Sequence, residues 1–144
     1  MKKVFLGGTC NGSTWRDDLI PEIKIDYFNP VVTDWTEDCM AEEINQRQNC
    51  DFVPYVITPK MTGSYSIAEA VDDSNKRPER TLFCTIDEDD RTLFTDFQRK
   101  SLRQVSELIK SNGGTCFCSL HAVAQYLNRF ANVSQTVTES RVFL

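Results

Sequence analysis

The sequence predicts a doubly wound α/β fold, in which five parallel strands form one sheet that is covered by helices on both faces. Five short apolar runs alternate with longer amphipathic segments along the 144 residues, and connections between parallel strands are right-handed. The composition is that of an ordinary globular protein, with 40% apolar and 26% charged residues. No internal repeat, linker or low-complexity segment interrupts the chain, so residues 1–144 are predicted to form a single domain.

The predicted strands end at residues that break regular structure. Gly7 and Gly8 end the first strand, and Asn29 and Pro30 stop the second. Pro54 lies inside the third, which indicates an edge strand or a bulge because proline cannot donate a ladder hydrogen bond. The five predicted strands cover residues 2–8, 25–30, 51–58, 80–86 and 115–120.

The intervening segments have helical periodicity. Pro21 limits the length of the first helix, Thr36 precedes an acidic first turn in the second, and Gly113 with Gly114 closes the fourth. The apolar stripe of the fourth helix consists of Phe97, Leu102, Val105, Leu108 and Ile109. The five predicted helices cover residues 13–23, 36–50, 64–76, 95–114 and 121–132, and residues 133–144 are predicted to be extended.

The charge and the N-terminus exclude several classes of protein. A formal charge of −5 disfavours a general nucleic-acid binder, which must neutralise many phosphates. Arg99, Lys100 and Arg103 lie at helical spacing and are interpreted as a solvated face. The first nine residues hold too short an apolar run for a signal peptide or a membrane span, so no membrane association is expected.

The six cysteines are predicted to be free thiols. Cys84, Cys116 and Cys118 lie in apolar, strand-like runs, where cysteine packs as a small hydrophobic residue. There is no CxxC pair, and the single histidine, His121, gives no zinc-binding spacing. These features predict a cytoplasmic protein without a metal or cofactor.

In doubly wound sheets, ligands bind at the carboxyl ends of the strands, which directs attention to the loops at that edge. In the first loop, Gly7 and Gly8 allow the backbone to approach a ligand, but neither a Walker motif nor a GxGxxG spacing is present. In the second loop, Trp35 beside Asp34 can stack on a planar ring, or alternatively cover the end of the core. The loops at this edge are residues 7–14, 29–36, 58–66, 86–94 and 119–121.

Glu69 in the stretch "TGSYSIAEA" has two interpretations. Ser66 and Glu69 fit a capping box, in which the carboxylate holds the start of the helix. Alternatively, Glu69 is a catalytic carboxylate, because it lies in the first turns of a helix that points at the cleft, away from the apolar stripe of that helix. Hydroxyls and N–H groups from neighbouring small residues would bind ribose or phosphate, namely Thr62, Gly63, Ser64 and Ser66.

The segments "VFLGGT", "FNPVVTDW" and "SIAEA" resemble, in this order, the nucleoside 2-deoxyribosyltransferase superfamily, and most of all its small divergent members, which include nucleotide N-glycosidases. The resemblance covers about residues 3–86 and implies a flavodoxin-like sheet with Glu69 as the nucleophile. It departs at Gly63, where the classical transferases carry an aspartate, and at Ala70-Val71, where many members have Leu-Gly. The implied ligand contacts are Gly7, Gly8, Thr9, Asn29, Pro30, Asp34 and Trp35.

The resemblance implies an enzyme that cleaves or transfers the N-glycosidic bond of deoxyribonucleosides or their 5′-monophosphates, with Asp34 as the candidate proton donor to the base. A non-catalytic nucleotide-binding module and an NAD glycohydrolase remain alternatives. The resemblance also implies a homo-oligomer, a dimer or larger. The apolar end of the tail, Val142 to Leu144, is expected to dock near the cleft of a partner chain or to fold back on its own sheet.

Overall fold

The computed structural model describes residues 2–10, 12–32 and 34–131, and the tail at 133–144 lies outside them. The strands are Lys3–Phe5 (β1), Gly7–Gly8 (β2), Asp26–Phe28 (β3), Val53–Ile57 (β4), Thr81–Thr85 (β5), Glu88–Asp89 (β6), Thr92–Leu93 (β7) and Thr115–Phe117 (β8). The helices are Trp15–Leu19 (α1), Glu37–Asn49 (α2), Tyr65–Lys76 (α3), Asp96–Ser111 (α4) and Leu120–Ala131 (α5), with 3₁₀ turns at Ile20–Glu22 and Pro78–Arg80. Each predicted strand and helix is thereby found, whereas the short β6–β7 pair was not predicted.

The strands form parallel sheets, but not the single five-stranded sheet that the sequence predicts. Four strands pair in the order β2-β4-β5-β8, while β1 and β3 form a separate parallel pair. The β6 and β7 strands form an antiparallel hairpin. The α/β class is therefore confirmed, and the sheet is divided within residues 3–8.

Pro54 explains where this division falls. The Phe5 N–H donates to the Phe52 carbonyl at 2.9 Å, and the Thr9 N–H donates to the Val56 carbonyl at 2.9 Å. Alternate residues of a strand face the same neighbour, so Pro54 also faces the first strand, where it has no N–H to donate. The expectation that Pro54 marks an edge or a bulge is wrong, because β4 lies between β2 and β5. The interruption falls in the neighbouring strand instead.

Two apolar cores cover the two faces of the sheet, as predicted. One core joins the strands to α1 and α5 through Trp15, Leu19, Val123 and Leu127. The other joins the opposite face to α3 and α4 through side chains that include Tyr55, Ala70, Phe83, Leu102 and Ile109.

The fourth helix buries a narrower stripe than predicted. Leu102 and Ile109 are buried, but Phe97 is 83% exposed and Leu108 is 48% exposed. The helix begins with a capping box between Thr95 and Gln98, in which each side chain bonds the backbone of the other.

All six cysteines are free thiols. No helix among the described residues is long and apolar enough to cross a membrane. Within the same residues, no group of three or more histidine, cysteine, aspartate or glutamate side chains is placed to hold a metal ion.

Candidate active site

The first and third loops meet at the carboxyl edge of the sheet around a cavity of about 170 Å³. This first cavity lies between the end of the first strand, the end of β4 and the start of α3. Five residues named from the sequence line it: Gly8, Thr9, Thr62, Gly63 and Ser66. The other lining residues are Cys10, Ile57, Met61 and Tyr65.

Gly8 is the residue that lets the first loop approach β4. Its φ is +121°, and a Cβ there would lie 2.1 Å from the Val56 carbonyl oxygen, so any side chain would force the two backbones apart. Gly7 is buried against the Tyr55 ring and does not line the cavity. The glycine pair therefore serves the packing of the strand as well as the cavity.

Two residues that the sequence analysis did not single out hold the first loop in place. Trp15 Nε1 and Arg16 Nη1 both donate to the Thr9 carbonyl at 2.7 Å, and Arg16 Nε donates to the Leu6 carbonyl at 3.0 Å. Arg16 is 5% exposed, and this burial lowers its pKa. The Thr9 hydroxyl oxygen in turn accepts from the Thr58 N–H at 3.1 Å, which ties the first loop to the third.

The capping interpretation of Glu69 is wrong. Helix α3 begins at Tyr65, with Ser64 as the N-cap, so Glu69 lies beyond the position from which a carboxylate reaches the cap. Ser64 forms no side-chain cap, and its carbonyl accepts from the Ile67 N–H at 3.1 Å. The Ser66 hydroxyl points back to the first loop, where it donates to the Gly8 carbonyl at 3.4 Å.

Glu69 instead forms an ion pair with Arg47 of α2. Arg47 Nη1 lies 2.7 Å from Glu69 Oε2, and the two side chains are 19% and 17% exposed. Oε1 accepts no hydrogen bond from a described residue, and no buried polar side-chain atom in that part of the chain lacks a partner. Oε1 therefore reaches solvent. Burial raises the pKa of Glu69, and the Arg47 charge opposes that shift without cancelling it.

One turn further along α3, Asp73 has four hydrogen bonds. Its side chain is 2% exposed and accepts from the Tyr55 hydroxyl, from Arg77, and from Arg47 at 3.4 Å and 3.5 Å. Burial alone would raise the pKa of Asp73, but these hydrogen bonds from Tyr55, Arg77 and Arg47 outweigh it and hold the pKa below its usual range. Arg47 therefore bridges a buried carboxylate and a more open one.

The second loop does not reach the first cavity. Asn29 Oδ1 accepts from the Val31 N–H at 3.1 Å, which forms a local turn after β3 next to Pro30. Asp34 is exposed and Trp35 is 60% exposed, and neither they nor Asn29, Pro30 and Ser64 line the cavity. The alternative in which Trp35 covers the end of the core is therefore wrong.

The β6–β7 hairpin is hydrogen-bonded to the first and third loops. Ser13 donates to Asp89 at 2.6 Å, and the Lys60 ammonium donates to Asp90 at 3.1 Å. Asp90 and Arg91 form the turn with φ values of 49° and 67°, as a two-residue hairpin of the I′ type requires. This hairpin was not predicted, because the turn lacks the Asn-Gly or Asp-Gly pair that usually indicates one.

The parallel strands and the glycine loop define an α/β protein with a cleft at the carboxyl edge of its sheet. Glu69 lies on α3, the helix whose first residues line that cleft, but it is not itself a lining residue. Residues 1–87 match the family described as nucleoside 2-deoxyribosyltransferase like. The match covers more than half of the 144 residues, so the chain belongs to this family, as the resemblance indicated. Searches of curated proteins and of solved structures found no match.

Proposed function

We propose that this protein cleaves the N-glycosidic bond of deoxyribonucleosides or their 5′-monophosphates, with Glu69 as the nucleophile. The observation that carries the proposal is the asymmetry of the Glu69 carboxylate, in which Arg47 holds Oε2 while Oε1 reaches solvent. Ser66, three residues earlier on the same helix, lines the first cavity, and residues at this spacing share a helix face. Glu69 therefore lies about one helical turn beyond Ser66 on α3.

The reaction would proceed in two displacements. Glu69 Oε1 attacks C1′ as the bond from C1′ to the base nitrogen breaks, and the electron pair of that bond leaves with the base. Asp34 is the proposed donor of a proton to the departing base. A second base, in a transferase, or water, in a hydrolase, then attacks C1′ and releases Glu69. No cofactor is required by this chemistry.

The ion pair with Arg47 suits the first displacement. Attack requires the ionised carboxylate, whereas burial favours the protonated form of Glu69. Arg47 lowers the pKa of Glu69 against that tendency and directs Oε2 away from the reaction. The nucleophilic oxygen is then the one that is left open.

The size of the first cavity supports binding of the sugar rather than of a whole nucleoside. Its volume of about 170 Å³ is below the roughly 300 Å³ of typical small-molecule sites. The N-terminus of α3 and the hydroxyls of Thr62 and Ser66 would bind the sugar and its 5′-phosphate. A Cβ at Gly63 would meet no atom within 4 Å, so this position has open space where classical transferases carry an aspartate. The base would lie outside the cavity, towards Trp35.

We infer that the two parallel sheets act as one five-stranded sheet of the flavodoxin-like order β3-β1/β2-β4-β5-β8. The Leu6 N–H, between β1 and β2, donates to the Phe28 carbonyl of β3 at 3.0 Å, while Gly7 and Gly8 pair with β4. The first strand thereby contacts both neighbours despite the interruption opposite Pro54.

We also propose a homo-oligomer in the cytoplasm. Large apolar side chains remain exposed along the second loop and α2, at Val31, Val32, Trp35, Met40 and Ile44, and α2 buries none of its residues. Large apolar side chains that remain exposed this close together in the chain favour an interaction surface. Light scattering of the whole chain, and of a chain that lacks residues 133–144, tests this proposal. A monomer with full activity would contradict it.

The proposed reaction is tested by chromatography of the protein incubated with deoxynucleosides, with their 5′-monophosphates and with NAD, each with and without a second base. The expected result is release of the base, or its exchange, from a deoxynucleoside or a monophosphate. Release of nicotinamide from NAD alone would favour the glycohydrolase alternative. Binding without any cleavage would favour the non-catalytic module.

A further inference from the structure

We propose that a second cleft, between α4 and the carboxyl ends of β5 and β8, binds the phosphate monoester of a small hydroxylated molecule. The cleft has a volume of about 320 Å³, nearly twice that of the first cavity, and shares no lining residue with it.

The second cleft lies at the carboxyl edge of the sheet, beside β8 at the end of the described strand order and away from the point where that order reverses. Thr85 is the last residue of β5 and Phe117 is the last residue of β8, so the cleft opens at the carboxyl edge of neighbouring strands. Phe94 and Leu102 are each 5% exposed and form an apolar base below the polar rim. Almost all of the lining lies beyond residue 87, outside the part of the chain that matches the family.

Two arginines give the cleft its charge. Arg99 and Arg103 stand one turn apart on α4, and within the described residues neither forms a salt bridge or donates a side-chain hydrogen bond. Arg16, Arg47, Arg77 and Arg80 all donate such bonds. Arg91 and Arg129 also donate none to a described residue, so the distinguishing feature of Arg99 and Arg103 is that both line the same cleft. Like charges at this spacing repel and destabilise a helix, and a bound anion would relieve the repulsion. Both side chains are exposed, as predicted for a solvated face, and they also border a cleft, which was not predicted.

The remaining charged groups narrow the choice of ligand. Lys110 lies 3.7 Å from Glu107, so this pair is largely neutralised, and Asp87 remains as a carboxylate on the other side. Two guanidinium groups, each with five N–H donors in a planar fork, match a phosphate group. Asp87 and Ser106 would bond hydroxyls of the organic part. A carboxylate facing the ligand disfavours a second phosphate.

The proposal is tested by titrating the isotope-labelled full chain with glycerol 3-phosphate and with inorganic phosphate, and with glycerol as the uncharged control, while backbone amide shifts are followed by NMR. Saturable shifts are expected in residues 99–118 with glycerol 3-phosphate, and none with glycerol. The double variant R99M/R103M should weaken binding by at least about tenfold, because each charge-assisted contact is strong. The matched control K100M removes a charge from the same helix outside the cleft and should bind as the natural protein does.

Three outcomes would overturn the proposal: shifts confined to residues 61–66, equal weakening by K100M and by the double variant, or no saturable binding. Circular dichroism checks that R99M/R103M is folded. If it is not, R99K/R103K keeps the charge but removes the planar forks, and should still weaken binding. An E69Q variant should bind glycerol 3-phosphate as the unchanged protein does. The proposal of binding in the second cleft can therefore be tested separately from the proposed reaction.

Discussion

The two halves of α3 differ in the burial and hydrogen bonding of the carboxylate that each one carries next to Arg47. Glu69, near the start, and Asp73, one turn later, both contact Arg47. Asp73 is almost fully buried and has hydrogen bonds from three side chains, whereas Glu69 has one partner and one oxygen that reaches solvent. A carboxylate with all its hydrogen bonds satisfied stabilises the fold, whereas one that is half-satisfied and reaches solvent is a candidate for chemistry.

The pKa shifts of the two groups run in opposite directions, although both carboxylates are at least partly buried. Both carboxylates are desolvated, which favours the protonated form. At Asp73 the hydrogen bonds overcome desolvation and lower the pKa, while at Glu69 a single arginine does not, and the pKa stays raised. The two sites therefore differ in the number of hydrogen-bond donors to the carboxylate. Each of the variants below removes either one of the carboxylates or one of the donors.

The largest effect is expected from E69Q. The amide keeps the size of the side chain and can still accept from Arg47, but it cannot attack C1′, so cleavage should fall on the order of 10³-fold or more. The control is E79Q, because Glu79 is an exposed glutamate beyond the end of the same helix. Rates of base release measure both variants, and an E69Q enzyme that retains its rate would remove Glu69 from the mechanism.

D73N should show the reverse balance, with a large loss of stability and a smaller loss of activity. Removing this charge leaves Arg47 and Arg77 without their buried partner, and breaking a buried ion pair typically costs about 3–5 kcal/mol. E69Q, by comparison, removes a more open pair and should change stability by about 1 kcal/mol or less. Urea unfolding of the two variants compares them, and equal losses would contradict the division between structural and catalytic carboxylates.

Variants of Arg47 and Arg77 further distinguish the proposed catalytic role of Glu69 from the structural role of Asp73. Both contact Asp73, but only Arg47 contacts Glu69. Because Arg47 lowers the pKa of Glu69, R47M should raise that pKa, shift the acid limb of kcat/KM to higher pH and reduce kcat/KM by up to roughly 10²-fold. R77M should destabilise the protein and leave the acid limb in place. Identical pH profiles for the two variants would show that Arg47 does not act on Glu69.

The fold was largely predictable from the sequence because it follows from local patterns. Apolar runs, helix periodicity and the Thr36 and Thr95 boundaries all act within a few residues. The effect of Pro54 was not predictable, because it depends on which neighbour the residue faces in the folded sheet. The hairpin at Asp90 and Arg91 was missed because its backbone conformation rests on tertiary contacts with Lys60 and Ser13 rather than on turn residues.

The site was only partly predictable. Sequence patterns predicted that Gly8, Thr9 and Ser66 lie at the same edge of the sheet. All three line the first cavity, because the strand order places their loops there. They did not reveal that Arg47 pairs with Glu69, because the two residues lie on different helices and a helical arginine is usually solvated. The buried Arg16 was missed for the same reason. Long-range electrostatic pairs leave no periodicity in a sequence.

The smallest expected effect is on the pH dependence of stability. The pKa of Glu69 lies above its ordinary value of 4.5, so its contribution favours the native state below that value and is lost as the pH rises through the folded pKa. The pKa of Asp73 lies below its ordinary value of 3.8, so its contribution is present above that value and is lost as the pH falls through the folded pKa. Neither amide titrates, so unfolding free energies measured in urea across this acid range should decline less on acidification in D73N than in the natural protein. In E69Q they should decline less on raising the pH. Because Glu69 is only partly buried and solvent screens it, the E69Q change should be the weaker of the two. Changes of the same sign in both variants would show that Glu69 and Asp73 do not contribute to the pH dependence of stability in opposite directions.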